Sequence, residues 1–459
     1  MKNIVPLLVL LCASPALAAD VGEIALIEDT DGSINASVAI GTTYLQKTAC
    51  AFYKTHDDDF GALFVFTTYK LTMFGTPEGW AIKRGQKGIG FDIYPDSTSK
   101  FCSTTGSLRH AMKLGDLSKW ADDPDAPYTA AVNGVYDGIE VIGHEFGHYW
   151  LAGANYKEDN GTLHCHIRAL APGGSGGSDC DNHGLSEFHL HWSYFFNARS
   201  PMFGSFIDDL GGARFKIYHD HPGYSDLDQY LMGLRDKSEV APMFVVDTGN
   251  LDESSTTPLP IGQSREVSGD RVDFDIDDVI RALGPRVPAK DPCHWKGAFI
   301  IVHPKGQAPS AQVIARVDAY RKRWETWYDR ATSNRGSFDT TLSGNGAGTQ
   351  TCPSGAPPDA GFPDAGQPDS GAVTDAATDA GAPDVSEMPD TGADVGEHDA
   401  GPAEEDAGKE DVAGDDVLDA GGTSDDSGTA PPIDGGGDAS PPAGGNETTA
   451  GCSCMVVGP

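Results

Sequence analysis

His144 and His148 stand four residues apart, with Glu145 beside the first, in the run Ile142-Gly143-His144-Glu145-Phe146-Gly147-His148-Tyr149-Trp150. On a helix that spacing puts both imidazoles on one face, within reach of one ion. Neutral imidazole is a good Zn2+ ligand, and a catalytic zinc keeps three protein ligands and an open position for water. Zinc lowers the pKa of that water towards about 7, and a carboxylate next to the first ligand is placed to take its proton. The residues therefore predict a metal-assisted hydrolytic centre, with His144 and His148 as ligands and Glu145 as general base. The competing reading is two unrelated histidines on an ordinary helix. The apolar neighbours Ile139, Val141, Phe146 and Trp150 weigh against it, because burying His and Glu without partners is costly.

A third ligand has to come from elsewhere. Leu185 to Asn197 reads as a second helix, dense in aromatics, that carries Glu187, His189 and His191. Glu187 and His191 are again four apart and share a face, so either can complete the site while the other orients it. His164, His166, His183, His219 and His221 read as loop histidines, with Asp220 leaving a minor second-metal reading. Tyr224 and Tyr230 are candidates for stabilising a tetrahedral oxyanion, although a helix over Tyr224–Leu234 would equally bury them as packing residues. Met202 or Met232 could floor the site, or simply fill core.

These residues need a scaffold. Ala62–Tyr69 is a nearly continuous β-branched and aromatic run, hence a buried strand, and Gly88–Tyr94 is a second strand candidate. Asp137–Ala152 reads as the helix of the motif, with Asp137 or Asn133 as N-cap and Gly153 as its stop. A strand at Ala298–Val302 precedes an amphipathic helix over about Ser310–Thr332. On that helix Val313, Val317, Tyr320, Trp324, Trp327 and Tyr328 fall at core spacing. The mixture predicts an α+β fold.

Composition divides the chain. Residues 353–459 hold 24 Asp or Glu and one Lys, which is −23 of the −36 carried by all 459 residues. This Pro/Asp/Ala/Gly-rich stretch has too little apolar surface to offset its ordering entropy and predicts a disordered, self-repelling spacer. The acidity argues against nucleic acid as a partner. Residues 1–19 read as a signal peptide, with a cleavage-type Ala16-Leu17-Ala18, and no later run is long enough to span a bilayer. The expected organisation is a signal at 1–19, a catalytic unit at 20–342, an acidic tail at 343–450 and a terminal motif at 451–459. Cys50, Cys102, Cys165, Cys180, Cys293 and Cys352 predict three disulfides in an oxidising compartment. Sequential pairing is expected; a structural zinc on Cys165 and Cys180 is the alternative.

Over about residues 45–342 the chain resembles a group of exported bacterial metalloprotease-like proteins of the zincin type. The likeness rests on Phe52–Asp59, Gly143–Trp150, His191-Trp192-Ser193-Tyr194-Phe195-Phe196, Ser200-Pro201-Met202 and Tyr224–Leu234. In that group a His-Trp-Ser segment follows the zinc helix, which implies His191 as third ligand, whereas the gluzincin pattern would use Glu187. Leu151 and Ala154 stand where a metzincin has Gly and His, so that subclass is excluded. The resemblance implies a secreted zinc endopeptidase acting on extracellular protein. The alternatives are a non-proteolytic surface or adhesion protein that keeps the metal, and an amide hydrolase acting on cell-wall material. Gly451-Cys452-Ser453-Cys454 resembles the start of the Gly-Cys tails that hold exported proteins at the cell surface, although no apolar span or basic cluster follows it.

Overall fold

The computed structural model describes residues 19–37, 42–70, 77–91, 93–128, 136–164, 191–248 and 259–343, all within one compact unit. In chain order the elements are β1 (Ala19–Val21), β2 (Ile24–Asp29), α1 (Thr43–Phe52), β3 (Ala62–Thr67), β4 (Glu78–Ala81) and β5 (His110–Asp116). Then follow α2 (Gly138–Gly147), β6 (Tyr156–Lys157), β7 (Leu163–His164), β8 (Phe206–Gly211), β9 (Arg214–Tyr218), α3 (Asp226–Leu231) and β10 (Met243–Asp247). The last are β11 (Ser264–Ser268), β12 (Asp270–Phe274), α4 (Ile276–Leu283), β13 (His294–Pro304), α5 (Ala311–Ala331) and β14 (Ser337–Asp339).

Seven strands make one mixed sheet in the order β1-β2-β13-β3-β5-β4, with β14 also pairing β13. Its centre is parallel: β13 lies between β2 and β3, and β3 pairs β5, while β1 and β4 close the edges antiparallel. Side chains alternate between two cores. Ala62, Phe64, Phe66, Phe299 and Ile301 face a large core under α2 and α5, whereas Leu63, Val65, Ala298, Ile300 and Val302 face a second core under α1. Both faces are covered, so β3 and β13 read as unbroken apolar runs.

The architecture is therefore a mixed α/β fold: the expected mixture of strands and helices and the motif helix are present, and the seven-stranded mixed sheet has a parallel centre with helices on both faces. The alternation is hidden in the sequence because the chain between β5 and β13 builds small accessory sheets, β6–β7, β8–β9–β11 and β10–β12. The expected strand at Gly88–Tyr94 does not form. Gly88 and Gly90 have φ of 74° and 82°, which breaks an extended run, and only isolated bridges join Arg84 to Tyr94 and Lys87 to Val287.

The second helix, expected to run to Asn197, is absent over 191–197, which are bends and turns; 185–190 lie outside the described residues. Its backbone is engaged elsewhere: Trp192 N donates to Met202 O, Asn197 N to Phe244 O, and Phe195 O accepts from Val246 N. The amphipathic helix over Ser310–Thr332 does form, with Ser310 as N-cap and Tyr320, Trp324, Trp327 and Tyr328 fully buried.

Every residue of α2 is buried. Glycines allow α5 to press against it: a Cβ at Gly138 would meet the Tyr320 hydroxyl at 2.3 Å, and one at Gly143 would meet Trp327 at 2.1 Å. The helix begins at the Asp137 cap, as expected, but ends at Gly147 rather than Ala152, and Ala152 has φ 64°.

A disulfide joins Cys50 in α1 to Cys102, ahead of β5, as the sequential pairing requires. Cys293 is also disulfide-bonded, to a partner outside the described residues. Cys165, Cys180 and Cys352 lie outside them too, as do residues 1–18 and 344–459, and with them the signal, tail and sorting expectations. No described helix is long and apolar enough to cross a membrane.

Gly143→Ala tests the α2–α5 contact. It should cost about 1–3 kcal/mol, as overpacking does, in urea denaturation; an unchanged midpoint would show that the two helices are not held this closely.

Candidate metal centre

The last turn of α2 carries His144 and Glu145, and His148 is its C-cap residue. His191 approaches on the irregular segment 191–205, which is fastened to the rest of the unit by its neighbours. Trp192 Nε1 donates to Asp228 Oδ1 at 2.9 Å, and the other oxygen of Asp228 accepts from Ser225 N to close the capping box of α3. Gln229 holds Tyr224 O at 2.8 Å, and the Tyr224 hydroxyl donates to Gly143 O of α2 at 2.7 Å. The block Tyr224–Leu234 is thus the frame that fixes both segments bearing the histidines.

His144, His148 and His191 converge, each offering a ring nitrogen within 4.8 Å of the others, and could hold a metal ion. Pro201 O lies 2.7 Å from His144 Nδ1. A carbonyl only accepts, so Nδ1 carries the proton and the Nε2 lone pair faces inward, 3.1 Å from His191 Nε2. Burial lowers the pKa of His144 to about 4. Burial, with neighbouring histidines, holds His148 and His191 well below the ordinary value. All three rings are therefore neutral near pH 7, the state in which imidazole binds metals.

Glu145 is fully buried. Its carboxylate makes no side-chain hydrogen bond, the backbone N–H of Gly79 being the donor that faces it; neither nitrogen of His148 has a hydrogen-bond partner among the described residues, and the two side chains approach to 4.0 Å. Burial, and then the Glu78 carboxylate, push the Glu145 pKa up to about 8. Leaving such groups unpaired costs about 1–3 kcal/mol each, and a cation among them would lower that cost.

Phe203 stacks on His191 at 4.3 Å and lies 5.0 Å from His144. Its φ of 69° is unusual for a bulky side chain, and its N–H donates to the Tyr136 hydroxyl at 3.1 Å. Sequence reasoning missed Phe203 and Tyr136; their only signal was the neighbouring Ser200-Pro201-Met202. Met202 packs on Gly147, whose Cβ would lie 2.4 Å from its sulfur.

The remaining candidates are dispersed. The Tyr224 hydroxyl is engaged by Gly143, and the Tyr230 hydroxyl accepts from Arg286 N at 3.3 Å. Glu187 and His189 lie outside the described residues, as do His166 and His183. His164 stacks on Tyr156 and bonds Glu158.

A second group gathers at the start of α2. His221 Nδ1 meets Glu140 Oε1 at 2.9 Å and Asp137 Oδ2 at 3.4 Å, while the other carboxylate oxygens close the capping box. These three could also hold a cation, but a protonated His221 already supplies the positive charge. Its hydrogen bond to Glu140 raises its pKa to about 9, and burial, then Glu140, push Asp137 up to about 7.

Fold and site together define a mixed α/β protein with a buried three-histidine group able to hold a metal ion. Comparison with protein-family models, curated proteins and solved structures finds no match.

Two predictions follow from this geometry. Alanine at His144, His148 or His191 should reduce bound divalent metal from about one equivalent per chain to near none after dialysis, whereas Glu187→Ala should retain it; metal analysis decides. His221 has a raised folded pKa, so its stabilisation is full below about pH 6.5 and is lost as pH rises through about 9. The side chain is half exposed, which limits the effect to about 1 kcal/mol. Denaturation of wild type and His221→Ala should therefore differ at pH 6.5 and coincide at pH 10.

Proposed function

We propose that the chain is an exported zinc-dependent endopeptidase. One observation carries the reading: three neutral, buried imidazoles converge beside a buried carboxylate that makes no side-chain hydrogen bond. The donor set suits zinc. Zn–N bonds of 2.0–2.1 Å in a tetrahedron place ligand nitrogens about 3.3–3.4 Å apart, close to the 3.1 Å between His144 and His191.

When bound, zinc supplies a Lewis acid and lowers the pKa of water at its open position towards about 7. The rest falls to the chain. His144, His148 and His191 act as ligands, with Pro201 O fixing the tautomer of the first, as outer partners of ligating histidines do. Glu145 is the general base: it takes a proton from the attacking water and returns it to the leaving amine. Phe203, against His191, gives the site an apolar wall that keeps bulk water off the ligands. Tyr224 serves as an anchor for α2, since its hydroxyl is engaged by Gly143.

Export is supported by the signal-like residues 1–19 and by the Cys50–Cys102 disulfide, which suits an oxidising compartment. In this reading residues 343–450 form a spacer, residues 451–459 contribute to surface attachment, and the substrate is extracellular protein or peptide.

Glu145→Gln is the decisive variant. On an unfolded protein substrate it should lower kcat by about 10^2–10^4-fold at unchanged zinc content, and a chelator should silence the wild type. Stoichiometric zinc with no hydrolysis by the wild type would remove the peptidase reading and leave the metal site standing.

A further inference from the structure

The carbonyl of Glu145 has an unusual partner. α2 ends at Gly147, so the donors that would continue its ladder turn away: Tyr149 N bonds Phe146 O, and Trp150 N and Leu151 N both bond Gly147 O. Glu145 O is thereby left among the unpaired carbonyls of a helix end, in a place with no access to water. His110, at the start of β5 and itself fully buried, fills the gap, with its Nε2 at 3.0 Å from Glu145 O. Because a carbonyl can only accept, Nε2 must carry the proton.

The strand beside β5 is shaped around the same oxygen. A Cβ at Gly79 of β4 would stand 2.0 Å from Glu145 O and 3.1 Å from His110 Nε2. Only glycine lets that strand come so close. His110 also meets Phe146 and Tyr149 edge-on at 5.8 and 5.7 Å, so its ring is wedged against one residue within the metal-binding turn and one just after it. Burial lowers its pKa to about 3, so the ring is neutral near pH 7.

We propose that His110 is a positioning residue for Glu145: together with Gly79 it fixes the backbone carbonyl of the general base against the sheet, and so sets where the Glu145 carboxylate sits relative to the three histidines. The proposal rests on the peptidase reading for its kinetic consequence, but not for its geometric one. A misplacement of about 1 Å in a reacting group can cost about 10^2-fold in rate, and no other donor from the described residues reaches this oxygen.

The test uses the full chain with His110→Gln, which keeps a donor at the Nε2 position, His110→Leu, which removes it, and His110→Asn, a polar side chain too short to reach. Three readouts are taken: kcat and KM on an unfolded protein substrate, zinc content, and the visible absorption of the Co2+-loaded protein. His110→Leu and His110→Asn should lose about 10–100-fold in kcat with KM and zinc content nearly unchanged, and His110→Gln should recover to within a few fold. In a Glu145→Gln background His110→Leu should add little, because two residues acting through one group are not additive. The Co2+ bands should move in the Leu and Asn variants and not in the Gln variant.

Leu and Asn variants with wild-type kcat and wild-type Co2+ bands overturn the proposal. So does a loss that Gln fails to restore, or one that is just as large in the Glu145→Gln background. If the wild type cleaves nothing, the peptidase reading fails alone, and the Co2+ spectra still decide whether His110 positions Glu145.

Discussion

The complete burial of α2 is the constraint on which the rest of the structure depends. A helix with no exposed residue must satisfy its end groups and its polar side chains from within the protein. At its start Asp137, Glu140 and His221 do so, in its middle Tyr224 holds Gly143 O, and at its end His110 takes Glu145 O. Beyond the end, the half-buried Arg84 guanidinium reaches His148 O and Tyr149 O at 3.2 and 2.9 Å. Three separate parts of the chain, at 84, 110 and 221–224, are thus committed to one helix of ten residues.

That economy makes the exceptions informative. Around α2 the backbone groups find donors or acceptors, yet the ring nitrogens of His148 have none among the described residues and the Glu145 carboxylate makes no side-chain hydrogen bond. The difference is not one of space, since the same helix accommodates a full capping box and a tyrosine anchor. Polar side chains left without hydrogen bonds at the end of an otherwise satisfied helix lower the stability of the protein. They also make a ligand's binding energy available to the fold, because whatever binds only the native state stabilises it by mass action.

How much of this could be read from residues alone varied with the range of the interaction. The spacing of His144 and His148 and the Asp137 cap are local, and they were legible. So were β3, β13 and α5, whose apolar patterns declare burial directly. His191 was legible as a candidate but not as part of an irregular segment, because aromatic density resembles a helix face when the backbone partners at 202 and 244–246 are not known. His110, Arg84, Phe203 and Tyr136 carry no local signature; their roles exist only once β5, the 84–94 turn and the 200–205 segment are brought to α2. The mixture of helices and strands was legible, but the parallel centre of the sheet was not, since the accessory sheets between β5 and β13 conceal it.

The position of β13 in the sheet also sets an order of events. It lies between β2 and β3, yet it is made more than two hundred residues after them. Until it arrives, β2 and β3 have no shared neighbour, each keeps one open edge beside its pairing with β1 or β5, and α2 lacks the aromatic wall of α5. The pairing is non-local and slow to form, so a chain emerging from its N-terminus stays open through most of its synthesis. The three histidines all precede β13 in the chain, so the sheet that backs their helix is completed only after every one of them has been made.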